Sequence, residues 1–249
     1  MPDRRTHRGP HPDDARLFAE EVQPVLREAL GDLCWMLSRN YPSKSSLKLV
    51  GDRYGLVARQ RIALGRCACS DTEAVRRKGR QVSPTELEGR PLWIDGYNVL
   101  TSIEAALAGG VILSARDGTY RDMASMHGSY RKVEETLPAL ELLGEMLASL
   151  GVAECRWYLD RPVSNSGRLK AIMEEVAVAG DWSWSVRLVQ NPDAVLCDPA
   201  GETAQPPPEQ LVVVTADSAI LDRCHAWFNL ARETIDRHLP TSRLVKMSQ

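Results

Sequence analysis

The stretch Pro91-Leu92-Trp93-Ile94-Asp95-Gly96-Tyr97-Asn98-Val99-Leu100 decides how the chain is read. A short apolar run ends at an aspartate and meets a glycine at once, the pattern of a buried strand stopping at a turn. The pattern recurs twice. Arg156-Trp157-Tyr158-Leu159 ends at Asp160, and Leu211-Val212-Val213-Val214 runs through Thr215-Ala216 to Asp217. Helical segments lie between. Leu137, Leu140, Leu143, Met146, Leu147 and Leu150 keep helical spacing, and Ser164-Asn165-Ser166 can cap a helix through Leu169, Ile172, Met173 and Val176. Trp182 to Val189 alternates as a further strand. Strands alternating with helices predict an α/β fold with a mostly parallel sheet covered on both faces. Ligands of such sheets bind beyond the carboxyl ends of the strands. Asp95, Asp160 and Asp217 are therefore expected along one edge.

A single aspartate after a strand is commonly a turn former or helix cap. Three at one edge are another matter. Two like charges about 4 Å apart repel by roughly 4 kcal/mol at an effective dielectric of about 20. Such a cluster needs a proton, a cation or basic partners. Mg²⁺ and Mn²⁺ favour carboxylate and water oxygens, and they activate water for attack on phosphoryl groups.

Ile94-Asp95-Gly96-Tyr97-Asn98-Val99-Leu100 resembles the opening motif of the NYN subgroup of PIN-like ribonuclease domains. Tyr158-Leu159-Asp160 resembles that family's central acidic strand end. Thr215-Ala216-Asp217-Ser218 resembles its T-x-D strand end. The resemblance implies a Rossmann-like three-layer domain and metal-dependent cleavage of RNA. Asp95, Asp160 and Asp217 would hold Mg²⁺ or Mn²⁺, with Asn98 and Ser218 beside them. Over residues 30–235 the chain also resembles an uncharacterised prokaryotic family that joins a small helical domain of unknown function to a PIN-like half. The segments Tyr41-Pro42-Ser43-Lys44-Ser45-Ser46-Leu47 and Val50-Gly51-Asp52-Arg53-Tyr54 carry that part. PIN domains generally have a fourth acid; Asp222 and Glu104 are the candidates here.

Around this edge, Arg121 to Lys132 is too polar for a core and follows a glycine-rich stretch. Arg121, His127, Ser129 and Arg131 could hold phosphates, and His127 could shuttle a proton. A solvated loop is the plainer reading. Arg161 and Arg168 follow Asp160 and suit either a salt bridge or a substrate. Cys67-x-Cys69 lacks a second ligand pair, which argues against zinc. Trp182 and Trp184 read as packing.

The 249 residues are 43% hydrophobic and 26% charged, enough for a core, with a net charge of −2. The charge is uneven: residues 1–90 carry seventeen Lys and Arg against twelve Asp and Glu, and residues 91–249 carry fourteen against twenty-one. No apolar run is long enough for a membrane span, no secretion signal opens the chain, and the six cysteines lack disulfide-scaffold spacing. A cytoplasmic protein is expected. The expected organisation is a disordered tail over 1–12, a helical module over 13–69, a linker over 70–90 and a PIN-like domain over 91–240. The helical module could serve a protein partner, a homodimer or, as a helix-turn-helix mimic, nucleic acid. The leading expectation is a metal-dependent nuclease acting on RNA. The alternatives are a PIN-like domain that binds RNA or protein without cutting, and a phosphatase of small phosphate esters. Tyr97 stands where a phosphatase's second acid would, which counts against the last.

Overall fold

A computed structural model describes residues 9–124, 130–198 and 210–248. At its centre is a sheet of five strands: β1 (Pro91–Asp95), β4 (Glu154–Asp160), β5 (Trp184–Val189), β6 (Val212–Val214) and β7 (Trp227–Phe228). They lie in the order β5-β4-β1-β6-β7, and every neighbouring pair is parallel. The chain thus builds outward from β1 to one side, then returns to build on the other. That reversal falls between β1 and β6, where a parallel sheet opens a crevice at its carboxyl edge.

β1 is apolar on both sides because both sides are covered. Leu92 and Ile94 point into the core made with α6 (Gly96–Leu107), α7 (Thr136–Ser149), α8 (Ser166–Ala179) and α11 (Leu230–His238). Trp93, one residue out of phase, points into the opposite core with α9 (Pro192–Cys197) and α10 (Ser218–Leu221). α6 starts directly at Gly96, without the turn that Asp-Gly suggests. A Cβ at Gly96 would lie 2.6 Å from Leu159 Cδ2 and 2.9 Å from the Tyr158 carbonyl oxygen. The glycine is there so that the helix can start hard against β4.

The glycine-rich stretch after α6 forms a hairpin. β2 (Ile112–Ser114) pairs antiparallel with β3 (Tyr120–Asp122) and parallel with β8 (Leu244–Lys246), giving a second sheet in the order β3-β2-β8. Gly118, with φ of +82°, supplies the left-handed residue in the hairpin.

The N-terminal half is helical, as expected over 13–69: α1 (Asp14–Leu17), α2 (Gln23–Ser38), α3 (Ser43–Arg53) and α4 (Ala58–Cys67). The expected tail over 1–12 lies mostly outside the described residues. The expected linker is a fifth helix, α5 (Asp71–Arg80), opened by a reciprocal capping box between Ser70 and Glu73. Its arginines suggested a solvated segment, but Arg77 is only 2% exposed and is docked on the α/β half. The two halves also share apolar core: Leu26, Leu33, Ala63 and Leu64 pack with Val111, Leu113 and Val245 of the small sheet. Among the described residues no helix is long and apolar enough to cross a membrane. The six cysteines are free thiols, five of them buried.

Candidate functional site

Three residues past β6 organise the site. The Thr215 hydroxyl donates to Asp95 Oδ2 at 2.8 Å and accepts the Asp217 backbone N–H at 3.0 Å. Asp217 caps α10, its Oδ1 accepting from the N–H groups of Ala219 at 2.7 Å and Ile220 at 3.3 Å. Asn98 Oδ1 accepts the Ala216 N–H at 2.9 Å. One hydroxyl and one side-chain amide thus tie the end of β1 to the turn after β6.

Beyond this edge is a cleft of about 390 Å³. Asp95, Asn98, Asp217 and Ser218 line its sheet side; Thr101, Ser102 and Asp122 form another wall, and Gly65 and Arg66 of α4 close it from the helical half. The Asp122 carboxylate is well compensated. It accepts from Ser102 Oγ at 3.0 Å and from the Ala124 N–H at 2.7 Å, with Arg66 Nη1 at 3.6 Å.

Asp95 is not compensated in this way. Burial pushes its carboxyl up to about 7, and the charges of Asp193 and Asp217 push the same way against the bonds from Thr215 and the Asn98 N–H. Asp160 ends β4, next to β1, and is raised by burial and then by Asp193. Asp193, exposed on the first turn of α9, is raised by burial and then by Asp217. No cation figures among the main influences on Asp95, Asp160 or Asp193. Four carboxylates therefore feel one another at one edge. Among the described residues, however, no three acidic, histidine or cysteine side chains stand close enough to share a metal ion.

The other expected site residues divide. Asn98 and Ser218 line the cleft. Arg121 lines it too, but it is not available to a phosphate. Its guanidinium is buried and donates to the carbonyls of Ala216 at 2.8 Å and Arg66, to Asp117 Oδ2 at 2.7 Å and to Ser218 Oγ at 3.3 Å. Asp222 is likewise spent. Arg77 Nε and Nη2 reach its two oxygens at 2.8 and 2.9 Å and Arg76 Nη2 at 2.7 Å; although burial works against it, these bonds hold the carboxyl below its usual range. Glu104 is buried beneath the hydroxyls of Tyr130 and Thr136, each donating at 2.6 Å. Arg161 is exposed and donates to the Leu188 carbonyl at 3.0 Å; Arg131 and Arg168 are exposed. His127 and Ser129 lie outside the described residues.

Asp193 was missed by the sequence reading. Its signal was Asn191-Pro192-Asp193, a cap followed by proline at the first helical position, just past the Trp182–Val189 strand. Arg66 and Asp122 carried no comparable signal, because only the docking of α4 on the hairpin brings them to the cleft.

Family models match in two segments: residues 25–80 match the one described as "Protein of unknown function (DUF434)", and residues 84–233 the one described as "Domain of unknown function (DUF5616)". A relative in Methanocaldococcus jannaschii, described as "Uncharacterized protein MJ0935", is 30% identical over 196 residues, covering 79% of this chain and 88% of that protein. No solved structure matches. With the larger segment spanning more than half of its length and the helical segment ahead of it, the chain belongs to the DUF5616 family, in a two-domain form whose N-terminal half matches DUF434.

Proposed function

We propose that this chain is a metal-dependent nuclease acting on RNA, with its catalytic edge on a PIN-like domain of the NYN kind. The observation that carries the reading is the set of carboxylates at the carboxyl edge of the sheet: Asp95 and Asp217 at its switch point, Asp160 at the end of the neighbouring β4 and Asp193 on α9, raised in pKa or adding to a neighbour's rise, with no cation among the main influences on Asp95, Asp160 and Asp193. Asp193 takes the part of the fourth acid in place of Asp222 and Glu104. The donor set, oxygen only, fits Mg²⁺ or Mn²⁺. With no three of these side chains close enough to share an ion among the described residues, the set suits one that keeps much of its water and takes one or two carboxylates together with substrate oxygens, as Mg²⁺ does. When bound, the ion would lower the pKa of a water and offset charge building on the phosphoryl group. The chain's own work is to hold Asp95 and Asp217 at fixed spacing through Thr215 and Asn98, and to bring α4 over the edge so that the cleft is narrow.

The test is cleavage of a mixed-sequence single-stranded RNA with Mn²⁺ by the protein and by its Asp95→Asn and Asp193→Asn variants. Cleavage by the parent and a loss of at least about 100-fold in both variants is expected. Equal cleavage by Asp193→Asn would remove it from the site, and no cleavage by the parent would sink the reading. The alternative is a domain that binds RNA without cutting it, in keeping with the carboxylates standing apart among the described residues. That alternative calls for RNA binding that a chelator leaves unchanged.

A further inference from the structure

We propose that the outer face of the helical half carries a stacking platform for unpaired nucleobases, built from Trp35 and Tyr41 with Arg39 against the Trp35 ring and Lys44 close along the chain. The proposal deepens the nuclease reading by naming where its polymer is held away from the cleft, and it takes RNA as the polymer from that reading.

The local chain is shaped to display these rings. α2 ends with Asn40 in the left-handed conformation, φ +61°. The Asn40 N–H bonds the Leu37 carbonyl at 2.9 Å and the Tyr41 N–H the Met36 carbonyl at 3.1 Å, the reversal that closes a helix through a left-handed residue. It returns Tyr41 against the last turn of α2, where its ring lies 6.5 Å from that of Trp35 with the planes 22° apart. Both rings stay half in water, Trp35 at 53% exposure and Tyr41 at 50%. They are the only large aromatic side chains so exposed among the described residues. An exposed pair of this kind forgoes apolar burial, which points to a partner that covers it.

The charge around the rings identifies the partner. The Arg39 guanidinium lies 3.8 Å from the Trp35 ring centre, and its Nη1 donates to the Trp35 carbonyl at 3.3 Å. Lys44 is exposed on the first turn of α3, close along the chain. Asp71, the acid near Arg39, is already bonded by Arg116, which offsets its charge. Flat aromatic faces among cations suit bases joined by phosphates, since every base has a π-face and stacking needs no particular sequence. The surplus of basic residues over 1–90 acts in the same direction.

The experiment is fluorescence anisotropy with a 5′-fluorescein-labelled, unstructured twelve-nucleotide RNA in EDTA, using full-length Asp95→Asn protein so that cleavage plays no part. Against this background, Trp35→Ala and Tyr41→Ala should each weaken binding by about tenfold and both together by more. Trp35→Phe should retain most of it, and melting temperatures should stay close to the parent's because both rings are exposed. Cleavage can fail while this binding survives, so the two readings stand or fall separately. The platform is overturned if the parent binds no RNA, or if the alanine variants bind within twofold of it. It is overturned equally if sedimentation shows a dimer that Trp35→Ala dissociates while RNA affinity is unchanged, since the face would then serve a second copy of the chain.

Discussion

Asp95 is the residue on which the site's electrostatic tension falls. Its carboxyl rises from roughly 3.9 in an unfolded chain to about 7 in the folded one. The native state therefore binds the proton more tightly. The stability this contributes is complete below about pH 4 and is lost as pH climbs through 7. Asp95→Asn keeps the shape without the charge, so in metal-free buffer at pH 8 it should melt several degrees above the parent, and the gap should close toward pH 4. Parallel melting curves across that range would contradict the assignment. Added Mn²⁺ should reverse the order at pH 8 by stabilising the parent through mass action and the variant far less. Asp217 separates two roles of one side chain. Asp217→Ala should lose about 1 kcal/mol with the helix cap, whereas Asp217→Asn keeps a capping oxygen and should lose little. Both should weaken the response to Mn²⁺, read by the same melts.

At the scale of elements, the junction of β1 with α6 depends on a missing side chain. Gly96→Ala brings a methyl group against Leu159 and the Tyr158 carbonyl and should cost roughly 1–3 kcal/mol in urea unfolding. A cost near zero would mean that β4 yields easily there. The elements that were legible in the sequence were those with a long or strongly apolar signal: the strands ending at Asp95, Asp160 and Asp217, and the amphipathic α7 and α8. The helices α2, α3 and α4 fall within the helical module expected over 13–69. What escaped was short or charged. α9 has six residues, too few to show a period, and it carries Asp193. β2 and β3 have three residues each and sit among glycines and polar side chains. α5 has the periodicity of a solvated helix, because the side chain it buries is an arginine. Arg121 and Asp222 were given to the site on position along the chain, and only the packed structure shows which partners consume them.

At the scale of the whole molecule, a buried ionic network joins the halves. Arg77 of α5 donates to Asp222 and, at 2.7 Å, to Asp117; Arg121 donates to the same Asp117 oxygen. Burial works against the Asp117 carboxylate, but the two arginines and Thr119 keep it below its usual range. Arg77→Met would take a buried partner from both acids, leaving Asp117 to Arg121 and Asp222 to Arg76, and should cost up to about 3–5 kcal/mol, measured by urea unfolding. Arg77→Lys should recover only part, since one ammonium cannot reproduce a guanidinium that reaches both acids. The same network reaches Ser218 Oγ from Arg77 at 3.4 Å and from Arg121 at 3.3 Å, beside Asp217. Consequently the two halves cannot be exchanged as independent parts. A chimera that grafts the first eighty residues of the archaeal relative onto this α/β half would need matching charges at 77, 117 and 222 to fold. Shuffling at the family boundary near residue 82 would otherwise sever the wiring that reaches the turn from Thr215 to Ser218.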